Sequence, residues 1–270
     1  MFHALTIAGS DSCGGAGIQA DLKAFSANGV YGMSVITAIT AQNTQGVFGI
    51  QDVNPEMISK QIEVIFEDIE VHAVKIGMVS KVESIKAISA ALRKVKELPP
   101  VVLDPVMISK SGFKLLSEDA KEALIEELFP LTTLITPNLP EAEEILGREI
   151  TSLKEMEKAA KELKKFGSKY VLVKGGHLKD TSTDLLYDGQ VVLVYEGEKI
   201  KNNHTHGTGC TLSSTIAANL AKGMPIAQAI KEAKNYITIA IEHGFKLGKG
   251  VGPTNHFYEL YKNAGILSEK

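Results

Sequence analysis

The residues best suited to chemistry lie late in the chain, between Thr205 and Ser214, where the sequence reads THGTGCTLSS. Gly207 and Gly209 alternate with small hydroxyl residues, and an apolar helical pattern begins directly after them. Glycine lets a backbone approach a ligand closely. The first turn of a helix offers unpaired N–H groups and a partial positive charge. Gly207, Thr208 and Gly209 therefore suit an anion, above all a phosphate or the charge that develops in phosphoryl transfer. An ordinary loop feeding a helix has the same composition. Cys210, one of two cysteines in the chain, stands in that first turn. A free thiol has a pKa of about 8.5, and a helix N-terminus lowers it. The sequence thus predicts a thiolate able to take a proton from a substrate hydroxyl. The competing reading for any cysteine is a small buried hydrophobe, and Cys13 is assigned to that class because the sequence names no partner for it.

Six further polar motifs each follow a short apolar run: Gly9 to Asp11, Ala41 to Asn43, Gly77-Met78, Asp104 to Val106, Thr136 to Asn138, and Lys174 to His177. In open α/β sheets ligands bind beyond the carboxyl ends of the strands. Glycine, proline and asparagine also make ordinary turns there, but six such motifs at one sheet edge point to a small-molecule site. No G-x-x-x-x-G-K-[ST] run is present, and GSDSCGGAG lacks the G-x-G-x-x-G spacing of a dinucleotide loop. Gly14 to Gly17 suits tight packing of backbone around a substrate. His204 and His206 flank the late glycine turn, yet their spacing supplies no complete metal set.

The elements that must carry these residues follow from periodicity. Short apolar runs at 4–8, 34–40, 74–76, 101–104, 134–136 and 170–174 read as strands. Ile18, Leu22 and Phe25 recur at helical spacing until Gly29. Asn54-Pro55 is a helix start, after which Ile58, Ile62, Ile65 and Ile69 share one face. Further helices are expected at roughly 82–96, 118–129, 139–146, 153–166, 209–222 and 225–243. Residues 184–187 and 191–194 flank Asp188-Gly-Gln190 and form a hairpin signal. The βαβα rhythm predicts an α/β fold: a mainly parallel sheet, ending in an antiparallel hairpin, with helices on both faces. No linker or internal repeat divides residues 1–270, so one domain is expected.

Composition narrows the function. Hydrophobic residues make up 44% and charged residues 23%, which supports a large core rather than disorder. A net charge of -3, from 29 basic and 32 acidic side chains, offers no basic excess for nucleic acid. The apolar runs are strand-length, so no membrane partner is expected. The opening MFHALTIAGSD lacks the features of a signal peptide, and two cysteines make no disulfide framework, which together predict a cytoplasmic protein.

The motifs also fit one family in order along nearly the whole chain. Ala8 to Lys23 (AGSDSCGGAGIQADLK), Val35 to Ala38, Ala41 to Thr44, Lys75 to Met78, Leu103 to Met107, Ile135 to Ala142, Val173 to Leu178, Asn203 to Ser213 and Gly250 to Pro253 resemble the bacterial hydroxymethylpyrimidine/phosphomethylpyrimidine kinases of thiamine biosynthesis. That resemblance implies a ribokinase-like three-layer sandwich, often dimeric. It implies transfer of the ATP γ-phosphate to 4-amino-5-hydroxymethyl-2-methylpyrimidine and then to the monophosphate. Cys210 would occupy the general-base position, where many ribokinase-like enzymes have aspartate, and Gly207 to Cys210 would form the anion hole. Asn138 and Glu141 match an N-x-x-E motif that organises Mg²⁺ and phosphate, with Asp104 a second carboxylate helping the metal. Gln42 would read the pyrimidine, its amide both donating and accepting. Asp21 would hold the substrate from the opposite side; Gly9, Met78 and Val106 would line the ring; Lys174 would contact ATP. Lys110, in a flap-like segment Met107 to Gly112, is a candidate for the acceptor phosphate in the second transfer. Two alternatives are carried: a pyridoxal kinase of the same superfamily, and a catalytically silent pyrimidine-binding module. Some pyridoxal-phosphorylating relatives use an extra cysteine in the segment that here contains Ser109, which favours the pyrimidine.

Overall fold

A computed structural model describes residues 1–107, 116–178 and 182–267. Lys110 and Ser109, and with them the proposed flap, lie outside the described residues. Nine strands form one sheet in the order β3-β2-β1-β4-β5-β6-β7-β8-β9. They span β1 (His3–Asp11), β2 (Tyr31–Asn43), β3 (Gly46–Asp52), β4 (Ala73–Ile76), β5 (Val101–Leu103), β6 (Leu134–Ile135), β7 (Tyr170–Val173), β8 (Asp184–Tyr187) and β9 (Val192–Tyr195). The pairings from β2 through β7 are parallel. Both flanks are antiparallel: β7–β8–β9 at one side and β2–β3 at the other. Only the first flank was expected. The β3 segment, GVFGIQD, has two glycines and no buried residue, so it carries no buried alternation to betray a strand.

Nine helices are described: α1 (Gly17–Ala27), α2 (Pro55–Asp68), α3 (Val82–Arg93), α4 (Glu118–Ala123), α5 (Leu139–Leu146), α6 (Leu153–Leu163), α7 (Thr208–Ala221), α8 (Ile226–Glu242) and α9 (Tyr258–Asn263). The predicted helix at 118–129 is α4 continued by a π turn over Leu124–Leu128, and Pro130 ends it in a tight turn. Asn54 caps α2 as its sequence suggests, accepting from Met57 N at 2.8 Å.

Side chains alternate across each strand, so neighbouring residues feed two separate cores. Leu5, Ile7, Val74, Ile76, Val101 and Leu103 pack against Ile58 and Ile62 of α2, Ile85 and Ile88 of α3, and Met156 of α6. Ala4, Ala73, Val102, Leu134 and Leu172 face Phe25 of α1, Leu212 and Ile216 of α7, and Ile230 of α8. Small residues on this second face let α7 lie close, and its residues from Thr211 to Asn219 are all buried. The architecture is the predicted three-layer sandwich. Chain direction across the sheet divides between β1 and β4, and this is the switch point where an open α/β sheet leaves a crevice for ligands. Among the described residues no helix is long and apolar enough to cross a membrane.

Candidate active site

A cavity of about 760 Å³ opens at that crevice. It is lined by Gly9, Gln42, Met78, Asp104, Val106, Asn138, Glu141, Lys174 and the whole turn from Gly207 to Cys210. These are all the predicted site residues except Asp21 and Lys110, the latter lying outside the described residues. Its far end, between α7 and α8, is an apolar slot containing Leu212, Ile237 and Ile241.

The turn before α7 has the conformation its glycines allow. Gly207 caps the helix with a φ of 80°, the left-handed region that favours glycine. A side chain there would begin 1.7 Å from Gly15 O, so the early and late glycine stretches lie against one another. The first intrahelical bond runs from Thr211 N to Gly207 O. The amides of Gly209 and Cys210 precede it, have no helical acceptor, and belong to the cavity wall. At Gly209 an added Cβ would lie 3.0 Å from Asp104 Oδ2 and 3.4 Å from Lys174 Nζ. The backbone that opens α7 thus lies directly against the Asp104 carboxylate and the Lys174 ammonium.

Cys210 lies in the wall as expected, but its proton affinity is the reverse of the expectation. Burial pushes the thiol up to about 11, and the carboxylates of Asp21 and Asp104 add to the rise; the Lys75 ammonium and the Gly17 amide oppose it. The helix start does not overcome loss of hydration, so the thiol is protonated at neutral pH in the free protein.

Asp21 corrects a second expectation. It is fully buried and accepts from Thr6 Oγ1 at 2.6 Å, Ser214 Oγ at 2.7 Å and Lys75 Nζ at 2.9 Å. It lies under the floor and touches α7 one turn beyond Cys210, since Ser214 follows Cys210 by four positions. Its direct role is therefore to support the helix that carries Cys210. Lys75, in the apolar run Ala73–Ile76, is also fully buried. Burial works to lower its proton affinity, but Asp21, with Cys210 and Asp104, holds it above the ordinary lysine value.

Asn138 and Glu141 form a reciprocal cap of α5: Glu141 N donates to Asn138 Oδ1 at 2.9 Å and Asn138 N donates to Glu141 Oε2 at 2.8 Å. The cap leaves both residues in the cavity wall. Burial raises Glu141 to about 7, with Asp104 adding to the rise and Lys174 opposing it. Asp104 Oδ1 accepts from Lys174 Nζ at 2.6 Å and Thr136 Oγ1 at 3.0 Å. Lys174 is accordingly a partner for these carboxylates before it is a contact for ATP. Asp104, just past β5, and Glu141, in the first turn of α5 and under-compensated by positive charge, offer the oxygen donors that a hard divalent cation such as Mg²⁺ takes.

At the other end Gln42 Oε1 accepts from Thr40 Oγ1 at 3.3 Å, and its backbone is held by Ser12 Oγ. An added Cβ at Gly9 would meet Met78 Cε at 2.6 Å, so the glycine lets Met78 lie across the floor.

Sequence reasoning missed four participants. Asp11 and His206 are a buried pair at 2.8 Å. Asp184 and Lys234 form another, at 2.6 Å, between the β8 start and α8. Asp11 was visible within the GSDSCGGAG motif and His206 beside the late glycine turn, but neither named its partner; Asp184 and Lys234 carry no local signal. His256 braces α7 through a 2.9 Å contact between Nε2 and Thr211 Oγ1. Burial, followed by the Lys23 charge, pushes it down to about 4. The neutral ring is favoured in the folded state, so its contribution is complete above an unfolded value of about 6.5 and is lost as pH falls toward 4, by about 3 kcal/mol. Glu141 acts with the opposite sign in this window. The difference in Tm between the native chain and His256→Gln should therefore shrink from pH 7 to pH 4.5; a constant difference contradicts the assignment.

An α/β sandwich with helix-start amides, an acid–base candidate and two carboxylates around one cavity has the layout of a ribokinase-like phosphotransferase. The phosphomethylpyrimidine kinase family model matches residues 11–255. A Rhizobium meliloti hydroxymethylpyrimidine/phosphomethylpyrimidine kinase is 52% identical over 96% of this chain and 98% of its own length. The crystal structure of a Clostridium difficile phosphomethylpyrimidine kinase is 53% identical, with a TM-score of 0.80 over 89% of this chain and 100% of that one. A Bacillus subtilis pyridoxal kinase, solved as an ADP complex, has a TM-score of 0.88 at 41% identity, covering 96% and 99%. The chain belongs to the phosphomethylpyrimidine kinase family.

Proposed function

We propose that this chain phosphorylates 4-amino-5-hydroxymethyl-2-methylpyrimidine with ATP and then phosphorylates the monophosphate to the diphosphate, a step of thiamine biosynthesis. The observation that carries the reading is one cavity holding the amides of Gly209 and Cys210 at one point and Gln42 with Met78 at another. The pyrimidine lies against Met78 and Val106, with its ring nitrogen and amino group read by Gln42. The adenine fills the slot between α7 and α8. The hydroxymethyl oxygen attacks the γ-phosphorus in line, its proton passes to Cys210 in the thiolate form, and the bond to the bridging oxygen breaks to release ADP. The Gly209 and Cys210 amides receive the charge that builds on the transferring group. Asp104 and Glu141 would hold Mg²⁺, which supplies charge neutralisation at the phosphates.

The proposal includes a cytoplasmic homodimer. The β2–β3 edge exposes Phe48 and Ile39, which a second copy would cover. A pyridoxal kinase remains the second reading, favoured by the likeness to the B. subtilis ADP complex. Competition with Mg-ATP between the pyrimidine alcohol and pyridoxal separates the two. Pyrimidine phosphates are expected to form first and in excess; pyridoxal phosphate as the sole product would replace the proposal.

A further inference from the structure

Asp11 ends β1, and its carboxylate gathers the following loop onto itself. Oδ1 accepts from Cys13 N at 2.9 Å, while Oδ2 accepts from Gly15 N at 3.1 Å and Ala16 N at 2.8 Å. Burial works to raise Asp11, but these amides and His206 outweigh it and leave the carboxyl at about 2. The group is ionised at neutral pH, so His206 Nε2–H must be the donor across the 2.8 Å contact with Oδ2. The two residues are 195 positions apart and both are buried.

His206 immediately precedes the Gly207 cap and is tied on a third side. Its backbone N donates to Gly252 O at 3.0 Å, and it bridges to Pro253. It also fills the space beside Gly15, where an added Cβ would begin 2.2 Å from its Cδ2. Three chain segments, 11–17, 205–209 and 252–253, therefore meet at one imidazole. The first ends where Gly17 N contacts the Cys210 sulfur. The second supplies the anion-binding amides. Neither residue is needed as a base, since the proposed mechanism gives that role to Cys210.

We propose that Asp11 and His206 are positioning residues: their hydrogen bond straps the late glycine turn to the loop after β1 and fixes the phosphate-binding amides against the Cys210 sulfur. This inference rests on the kinase reading for its consequence in turnover, but its structural content can be measured without it. A displacement of about 1 Å in such a constellation costs on the order of 100-fold in rate.

The test compares His206→Leu, which keeps bulk and removes the donor, with His206→Gln, whose amide can still donate to Asp11. Amide hydrogen exchange of the ligand-free protein is read first. His206→Leu should speed exchange at 12–17 and 207–211 together by about tenfold while α2 and α3 stay unchanged, and His206→Gln should restore protection. Turnover is read second. His206→Leu should lower kcat for the pyrimidine alcohol about 100-fold with the KM for ATP within about threefold, and His206→Gln should recover most of it. Exchange confined to 207–211 in His206→Leu, or equal damage in the two variants, overturns the strap. Coupled exchange in a native protein that forms no phosphorylated pyrimidine would leave the strap standing and sink the functional reading instead. A global rise in exchange with loss of folding in both variants would also count against a positioning role.

Discussion

Cys210→Ala should lower the first phosphorylation by about 10²–10⁴ while the second falls by less than about tenfold. The two acceptors differ in acidity. A hydroxymethyl group holds its proton at neutral pH and needs a base as it attacks. A phosphate monoester has a second pKa near 6, so the oxygen that attacks in the second transfer is already largely ionised. Single-turnover rates for each acceptor give the comparison, and equal losses would remove the base assignment. The same residue fixes a pH dependence. With the thiol pushed up to about 11, the thiolate fraction in the free protein grows about tenfold per unit between pH 7 and pH 10. The first transfer should climb over this range in the native enzyme and become flat in Cys210→Ala. A flat native profile contradicts the proposed proton acceptor.

Lys75→Met should be among the most destabilising single changes in the chain, by about 3–5 kcal/mol, because it leaves the Asp21 carboxylate buried without its cation. For a domain of this size that corresponds to a fall in Tm on the order of 10 °C. Adding Asp21→Asn to Lys75→Met removes the orphaned charge and keeps an acceptor for Thr6 or Ser214, so the double variant should be more stable than Lys75→Met alone. Additive losses in thermal or denaturant unfolding would show that the two groups do not act as a pair. Activity should follow a different order from stability. Both variants lose the ammonium that opposes the rise in the Cys210 pKa. The double variant also loses the Asp21 charge that adds to that rise, but Lys75 is the larger of the two influences, so it should refold well and still be slower than the native enzyme in the first transfer near neutral pH.

Much of this was legible because it is encoded locally. Periodicity located the parallel strands and the helices, since alternate residues of each strand serve two different cores. The late glycine turn announced a helix start with unpaired amides, and the strand-end motifs marked one sheet edge. Recognition of the family placed Gln42, Asn138 and Glu141 with their neighbours, and the cavity brings them together. What local sequence could not carry was charge pairing across the fold. The proton affinity of Cys210 depends on Lys75, Asp21 and Asp104, which come from three other elements. The family resemblance implies a substrate contact for Asp21; only the packing of α1 against α7 shows it beneath the floor. His206 was set aside because a lone histidine has no local signature, and its partner lies at the opposite end of the chain. The β3 strand escaped for a simpler reason: an exposed edge paired on one side needs no apolar alternation.

The most direct measurement is the product distribution after the native protein is mixed with Mg-ATP and the pyrimidine alcohol, followed in time by mass spectrometry. The monophosphate should appear first and decay into the diphosphate, with one ADP formed for each phosphoryl group transferred. ATP consumed without a phosphorylated pyrimidine, or a bound alcohol that is never converted, would contradict the account.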